Sequence, residues 1–338
     1  MKGLLNKLAE GENLTGTEME QAMRQVMTGK ATPAQIGAFM MGLRQKGETV
    51  EEITAAARVM RSLAEPVRVA SQPLVDTCGT GGDGANIFNV STAAALVAAA
   101  CGVRIAKHGN RSVSSSTGSA DVLEAAGVNL DLRPEDVAES VEKVGIGFLF
   151  APAHHSAMKF AIGPRRELGM RTLFNVLGPL TNPAGARRQV LGVFDQRWLR
   201  PLAEVLQALG SERVMVVHAR DGLDEISVAA VTDVVELKDG TLHEYSIDPA
   251  AQLGIWYTSL DAARVGSAGE SLKMILDAFR GGQGVAADLI AVNAAAVLQV
   301  AGLAEDLLQG LSQARTAMGN GQALAKLEAL RTFTQGVA

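Results

Sequence analysis

The chain has 338 residues and carries 31 Lys and Arg against 36 Asp and Glu, a formal net charge of −5. That balance argues against non-specific nucleic-acid binding, which needs a basic face for the phosphate backbone. With 47% hydrophobic and 20% charged residues, the chain can bury one large core or two smaller ones. Its two cysteines, Cys78 and Cys101, make no disulfide framework at this length and suit a reducing compartment. The N-terminus lacks an apolar run with a small-residue cleavage site, and the longest apolar stretch, residues 93–100, is too short to span a bilayer. These features predict a cytoplasmic protein with no membrane or nucleic-acid partner.

In chain order, residues up to about 69 read as helices. Three capping-box patterns punctuate them: Thr17-x-x-Glu20, Thr32-Pro33-x-Gln35 and Thr49-x-x-Glu52. Pro33 falls at a first helical position, where a missing N–H costs nothing. Ile36, Phe39, Met40 and Leu43 are apolar at helical spacing, suited to packing within a small helical domain or against a second subunit.

From Leu74 strands and helices alternate. Strands are predicted at 74–77, 103–106, 147–150, 189–194, 213–218 and 234–238, and helices at 92–101, 119–126, 134–144, 199–209 and 271–279, with a small-residue helix around 290–297. That order predicts an α/β fold with a mostly parallel sheet flanked by helices.

Three polar loops carry the chemistry. The first, Gly79-Thr80-Gly81-Gly82-Asp83-Gly84, matches G-x-G-x-x-G, but the next strand offers Arg104 and Lys107 where a dinucleotide fold wants an acid. No G-x-x-x-x-G-K-[ST] loop is present either. The glycines instead admit an anion to backbone N–H groups, and Asn89-Val90-Ser91-Thr92 opens a helix whose free N–H groups favour phosphate. Asp83 beside an anion makes sense if a cation or a sugar hydroxyl is also held there. The second loop, Lys107 to Ser119, places lysine, arginine and a run of hydroxyls at a strand's carboxyl end, a cradle for several phosphates. In the third, adjacent Asp224 and Glu225 would repel unless a cation lies beside them, and such hard oxygen ligands suit Mg2+ that also binds substrate phosphate. His154-His155 invites a zinc reading, but no cysteine or acid stands at a supporting spacing, and pocket lining or helix-start packing is expected instead.

Together these loops resemble the anthranilate phosphoribosyltransferases. The likeness extends to Ala151-Pro152-Ala153-His154-His155, to Gly163-Pro164-Arg165-Arg166-Glu167-Leu168-Gly169, and to the run from Arg171-Thr172-Leu173-Phe174-Asn175 through Gly178-Pro179-Leu180-Thr181-Asn182-Pro183. The resemblance implies transfer of the 5-phosphoribosyl group from phosphoribosyl pyrophosphate to the amine of anthranilate, with Mg2+ required. It implies a small all-helical domain, residues 1–70 joined by a segment near 161–185, and a larger α/β domain over 71–338. It also implies a homodimer through the helical part, while an anthranilate synthase partner would be a separate chain.

Carried over, Gly79, Gly82, Asp83, Asn89, Val90, Ser91 and Thr92 would hold phosphoribosyl pyrophosphate, with Ile87 at a position where relatives often carry Thr or Ser. Lys107, His108, Gly109, Asn110, Arg111, Ser112, Val113, Ser114, Ser115 and Ser119 would complete that site. Ser91, Asp224 and Glu225 would reach Mg2+. Gly79, Asn110 and Arg165 would contact anthranilate, with Arg165 at its carboxylate, and His108, His155 and Pro179 would line its path inward. Lys107, Asn110 and Arg165 would serve the reaction most directly. Ser116-Thr117 stands where relatives commonly have Lys-Ser. Two other readings compete: a pyrimidine nucleoside phosphorylase of similar fold, and a non-catalytic relative that binds nucleic acid, which should be basic and lack the cradle.

Overall fold

Thr32 and Thr49 cap helices as their patterns predict: each side chain accepts from the N–H three residues on, while Gln35 and Glu52 reach back to the capping N–H. The first box is displaced. Thr15, not Thr17, opens its helix, paired with Glu18 rather than Glu20. Leu14 and Met19 flank that cap and are both buried in one cluster, a hydrophobic staple that sets the start two residues earlier.

A computed structural model describes residues 1–112 and 117–337. Four helices come first, α1 (Lys2–Ala9), α2 (Gly16–Met27), α3 (Pro33–Lys46) and α4 (Val50–Leu63). There follow β1 (Val75–Gly79), α5 (Val90–Ala100), β2 (Ile105–Gly109), α6 (Ser119–Ala125), α7 (Pro134–Val144) and β3 (Ile146–Phe150). The short helices α8 (Ala151–His154), α9 (Lys159–Leu168) and α10 (Leu173–Leu177) lead to β4 (Arg188–Gly192), α11 (Leu199–Ala208) and β5 (Arg213–Ala219). The chain ends with β6 (Thr232–Lys238), β7 (Thr241–Ile247), α12 (Pro249–Leu253), α13 (Ala268–Phe279), α14 (Val285–Ala301), α15 (Leu307–Gly319) and α16 (Gln322–Gly336).

The strands form one seven-stranded sheet in the order β3-β2-β1-β4-β5-β6-β7. The first five are parallel, and β5, β6 and β7 run antiparallel. Strand β7 was not anticipated: its outer positions are exposed and polar, so Thr241–Ile247 lacks a buried run. Alternate side chains serve opposite faces. Met215 and Val217 join the cluster under α5, α13, α14, α15 and α16, whereas Val214 and Val216 join the one containing α1–α4, α10 and α11. The helical bundle is thus continuous with one face of the sheet, and α9 packs on α2 and α3. The protein is a small helical domain on a larger α/β domain. No helix among the described residues is long and apolar enough to cross a membrane.

Strand order reverses at β1, which has β2 on one side and β4 on the other. In an open α/β sheet such a reversal leaves a crevice beyond the carboxyl ends of the strands, where ligands bind.

Candidate active site

The glycine-rich loop leaves β1 directly into that crevice. Thr80 anchors it to the neighbouring strand: its N–H donates to Gly192 O at 2.9 Å, and its hydroxyl accepts from the Phe194 N–H at 3.1 Å. The Asp224 carboxylate accepts from the Gly81 N–H at 3.0 Å and fills the space where a Cβ on Gly79 would stand. A side chain at Gly79 would therefore push the acidic loop out of the site.

At the far end of the loop, Ile87 bridges to Arg264 through its backbone and packs on the large core, so it offers no hydroxyl. Asn89 caps α5, its Oδ1 accepting from the Thr92 N–H at 3.0 Å. Val90 is buried at the first turn of α5, and the buried Thr92 hydroxyl has no partner among the described residues. A helix N-terminus with an unsatisfied hydroxyl is prepared for an oxyanion.

Lys107 stands on β2, fully buried, with Nζ 2.5 Å from Thr77 O and 3.2 Å from Ser91 Oγ. Burial lowers its pKa, opposed by the nearby Asp76, Cys78 and Glu225. Asp83, Asp224 and Glu225 crowd the same crevice. Burial, then the Asp83 charge, pushes Asp224 up to about 7. Burial and Asp224 raise Glu225 well above the carboxylate range, against the pull of Lys107 and the Ser91 N–H. One buried lysine does not balance these carboxylates, which fits a divalent cation held by Asp224, Glu225 and the Ser91 hydroxyl. No three His, Cys, Asp or Glu among the described residues form a ready-made cage. Mg2+ needs none, since it keeps several waters and takes ligands from substrate phosphates.

One expectation about a cation fails, and a second cation pairs with an acid outside the loop. Arg104 lies before β2, at the amino end of the sheet, and its Nη1 donates to Val141 O and Glu142 O at the end of α7. It faces away from the crevice because the strand starts at Ile105, later than predicted. Arg111 is exposed at the turn after β2. Its guanidinium pairs with Glu124 at 2.5 Å and lies 5.6 Å over the Phe150 ring. Asn110 is exposed at the turn, its Oδ1 accepting from the Arg111 N–H. Asp121, absent from the sequence reading, pins that loop by accepting from the N–H groups of Ser112 and Gly118 at 3.0 and 2.9 Å. Ser119, at the start of α6, lies 3.5 Å from Asn89 Oδ1. Val113, Ser114, Ser115 and Ser116 lie outside the described residues.

His108 and His155 are buried with ring centroids 5.2 Å apart. Burial, reinforced by neighbouring histidines, lowers His108 to about 3 and His155 to about 4, so both are neutral at pH 7. Neither Nε2 has a partner among the described residues. His154 turns away to Glu65 O, so the two adjacent histidines do not converge. Pro179 is buried, its carbonyl accepting from Gln189 Nε2. Arg165 is half-buried on α9 with its guanidinium 5.4 Å over the Phe174 ring.

Asp76 was not singled out either, yet it ties the floor together. It is buried in β1, and its carboxylate accepts from the His108 N–H at 3.0 Å and from Asn182 Nδ2 at 2.8 Å. Burial lifts it to about 6. The acid one residue into a strand gave no signal, because its partners come from distant segments.

Fold and site together define a glycosyl transferase of the kind built from a helical bundle and an α/β domain. The chain matches that family's helical bundle domain over residues 2–64 and its a/b domain over residues 71–324. Among its relatives are the anthranilate phosphoribosyltransferases of Alkalilimnicola ehrlichii, 60% identical with 100% of this chain and 99% of that one covered, and of Stutzerimonas stutzeri, 58% identical with 99% and 97% covered. The crystal structure of the Thermus thermophilus anthranilate phosphoribosyltransferase superposes with a TM-score of 0.92 at 43% identity, covering 98% of this chain and 99% of that one. The Saccharomyces cerevisiae enzyme in complex with PRPP and Mg superposes with a TM-score of 0.89 at 25% identity, with 99% and 97% covered. The chain belongs to the anthranilate phosphoribosyltransferase family.

Proposed function

We propose that this protein transfers the 5-phosphoribosyl group from phosphoribosyl pyrophosphate to the amine of anthranilate, releasing pyrophosphate, in tryptophan biosynthesis. The observation that carries this reading is the convergence, at the strand reversal, of the glycine-rich loop, the N-terminus of α5, buried Lys107 and the Asp224-Glu225 pair.

The donor's phosphates would lie on the loop from Gly79 to Asp83, on Asn89 to Thr92 and on the Lys107–Ser119 segment. Mg2+, held by Ser91, Asp224 and Glu225, would neutralise charge on the diphosphate. Lys107 does the same from beneath, as an electrostatic partner and not a nucleophile. Arg165 would receive the anthranilate carboxylate, and Asn110 and Gly79 would seat the acceptor beside the donor. As the amine nitrogen bonds to ribose C1, the C1–oxygen bond to pyrophosphate breaks and the nitrogen sheds one proton to solvent. An aromatic amine is neutral near pH 7, so positioning replaces a strong base. The neutral, buried His108 and His155 suit a path for an aromatic acid.

Residues 1–70 with 161–185 would form one domain and 71–338 the other, closing on the crevice between them. A homodimer through the helical part is supported by Phe160, Ile162 and Met170, large apolar residues exposed on or beside α9. Two free cysteines suit the cytoplasm. The deciding experiment follows phosphoribosylanthranilate fluorescence with donor, anthranilate and Mg2+, beside a thymidine phosphorolysis assay. Transferase turnover is expected. Phosphorolysis without it would replace this reading with the nucleoside phosphorylase one.

A further inference from the structure

Arg171 occupies the turn between α9 and α10, and nothing in the site above assigns it a role. Its carbonyl accepts from Arg44 Nη1 at 2.7 Å, so α3 fixes the turn that carries it. Its side chain then crosses to the α/β domain, where the guanidinium carbon lies 3.9 Å from the Phe194 ring centroid, just beyond β4. From there it covers the glycine-rich loop: a Cβ on Gly82 would stand 2.8 Å from Arg171 Nη2. Gly82 is thus required twice, by its φ of +80° and by the guanidinium beside it.

Arg171 is half-buried, and among the described residues it belongs to none of the ion pairs. A guanidinium partly stripped of water and left without an anion is costly, and a bound anion offsets that cost. Arg165 repeats the arrangement a few residues earlier: half-buried, laid on a phenylalanine, and without an acidic partner among the described residues. The proposed reaction brings three anionic groups into the crevice, the acceptor's carboxylate and the donor's 5-phosphate and diphosphate. Arg171 is the one that lies on the phosphate-binding loop.

We propose that Arg171 is a further donor-binding residue, a planar cation that meets the diphosphate of phosphoribosyl pyrophosphate from the helical side and holds the loop at Gly82 against it. This rests on the transferase reading above. The stacked fork geometry suits two diphosphate oxygens and is not reproduced by an ammonium.

The test measures initial rates of the full chain with saturating Mg2+, varying each substrate, for wild type, Arg171→Ala, Arg171→Gln and Arg171→Lys. Donor binding without anthranilate is followed by calorimetry in parallel. The donor KM, the donor Kd and the pyrophosphate inhibition constant should each rise about tenfold or more in Arg171→Ala and Arg171→Gln, as for loss of a charge-assisted contact. The anthranilate KM should stay within about twofold, and Arg171→Lys should recover only part of the loss. Gln keeps the stem and a planar head, so it separates lost charge from lost packing should the alanine variant fold poorly. A donor KM and Kd at wild-type values in a folded Arg171→Gln enzyme would overturn the proposal. So would an equal rise in both substrates' KM values, which marks general loosening of the crevice. A wild-type enzyme that neither turns over anthranilate nor binds the donor would instead sink the transferase reading.

Discussion

The two ends of the parallel strands use the same residue types to opposite effect. At the amino end, cations close helices. Arg104 donates to the last carbonyls of α7, Lys326 Nζ to Val144 O at 2.6 Å, and Arg188 to Ala301 O at the end of α14, also at 2.6 Å. Each meets a helix C-terminus, where partial negative charge and free carbonyls favour a cation. At the carboxyl end, Asp83, Asp224 and Glu225 crowd together and Lys107 is the buried cation among them. There the helix end that faces the crevice is the N-terminus of α5, which welcomes an anion. One end has its electrostatics completed by the chain itself. On the proposed function, the other would be completed by a metal ion and a phosphorylated substrate, a local cost that stability elsewhere supports.

The largest effect should come from attacking the unbalanced end. Replacing Asp224 and Glu225 together by Ala should lower turnover by about a thousandfold or more, on the scale of losing a preorganised charge site, and should move the Mg2+ midpoint upward. Unchanged metal dependence in a titration would break the comparison at its centre. Arg165→Ala should raise the anthranilate KM by about a hundredfold, the worth of a charge-assisted bidentate contact of ~3 kcal/mol. Steady-state kinetics with the donor KM unchanged would support it, whereas wild-type values for anthranilate would refute it.

The amino end should behave differently. Arg104→Ala should cost about 1 kcal/mol of stability, through loss of the carbonyl contacts at the end of α7, and leave both KM values alone. Denaturant unfolding beside kinetics would check this, and a specific loss in substrate affinity would show that the two ends are not separable. The smallest effect concerns the histidine pair. His108 and His155 titrate near 3 and 4 when folded, against 6.5 when unfolded. Between those values the unfolded chain takes up protons that the folded chain refuses, so this contribution to stability is lost as pH falls below 6.5. His155→Gln should therefore lose fewer degrees of Tm than wild type between about pH 7 and pH 5. Parallel melting curves of equal slope would remove His155 from that account.

Much of the fold was legible along the chain. The run Pro134–Val144 was bounded correctly because Pro134 starts it and Gly145, at φ +89°, stops it, both local signals. The glycine-rich loop, Lys107 and the Asp224-Glu225 pair stand out in the sequence because each sets an unusual residue type on or shortly after a strand. Arg104 and Lys107 looked equivalent at a spacing of three. A later strand start set one at the helix end of α7 and the other in the crevice, and only inter-strand hydrogen bonding fixes that register. The hairpin strand β7 went unseen because its exposed face carries no apolar pattern.

By itself, then, the sequence determined the elements with strong local signals, the fold class and the family. Backbone conformation at glycines, helix caps and runs of buried residues are properties of short segments, readable in order. Tertiary structure decided the partnerships: Gly79 with Asp224, Asp76 with Asn182, Arg171 with Gly82, and Arg111 with Glu124. Each joins residues from different segments, and charge and hydrogen-bonding demand at a residue say that a partner is required but not which segment the fold will bring.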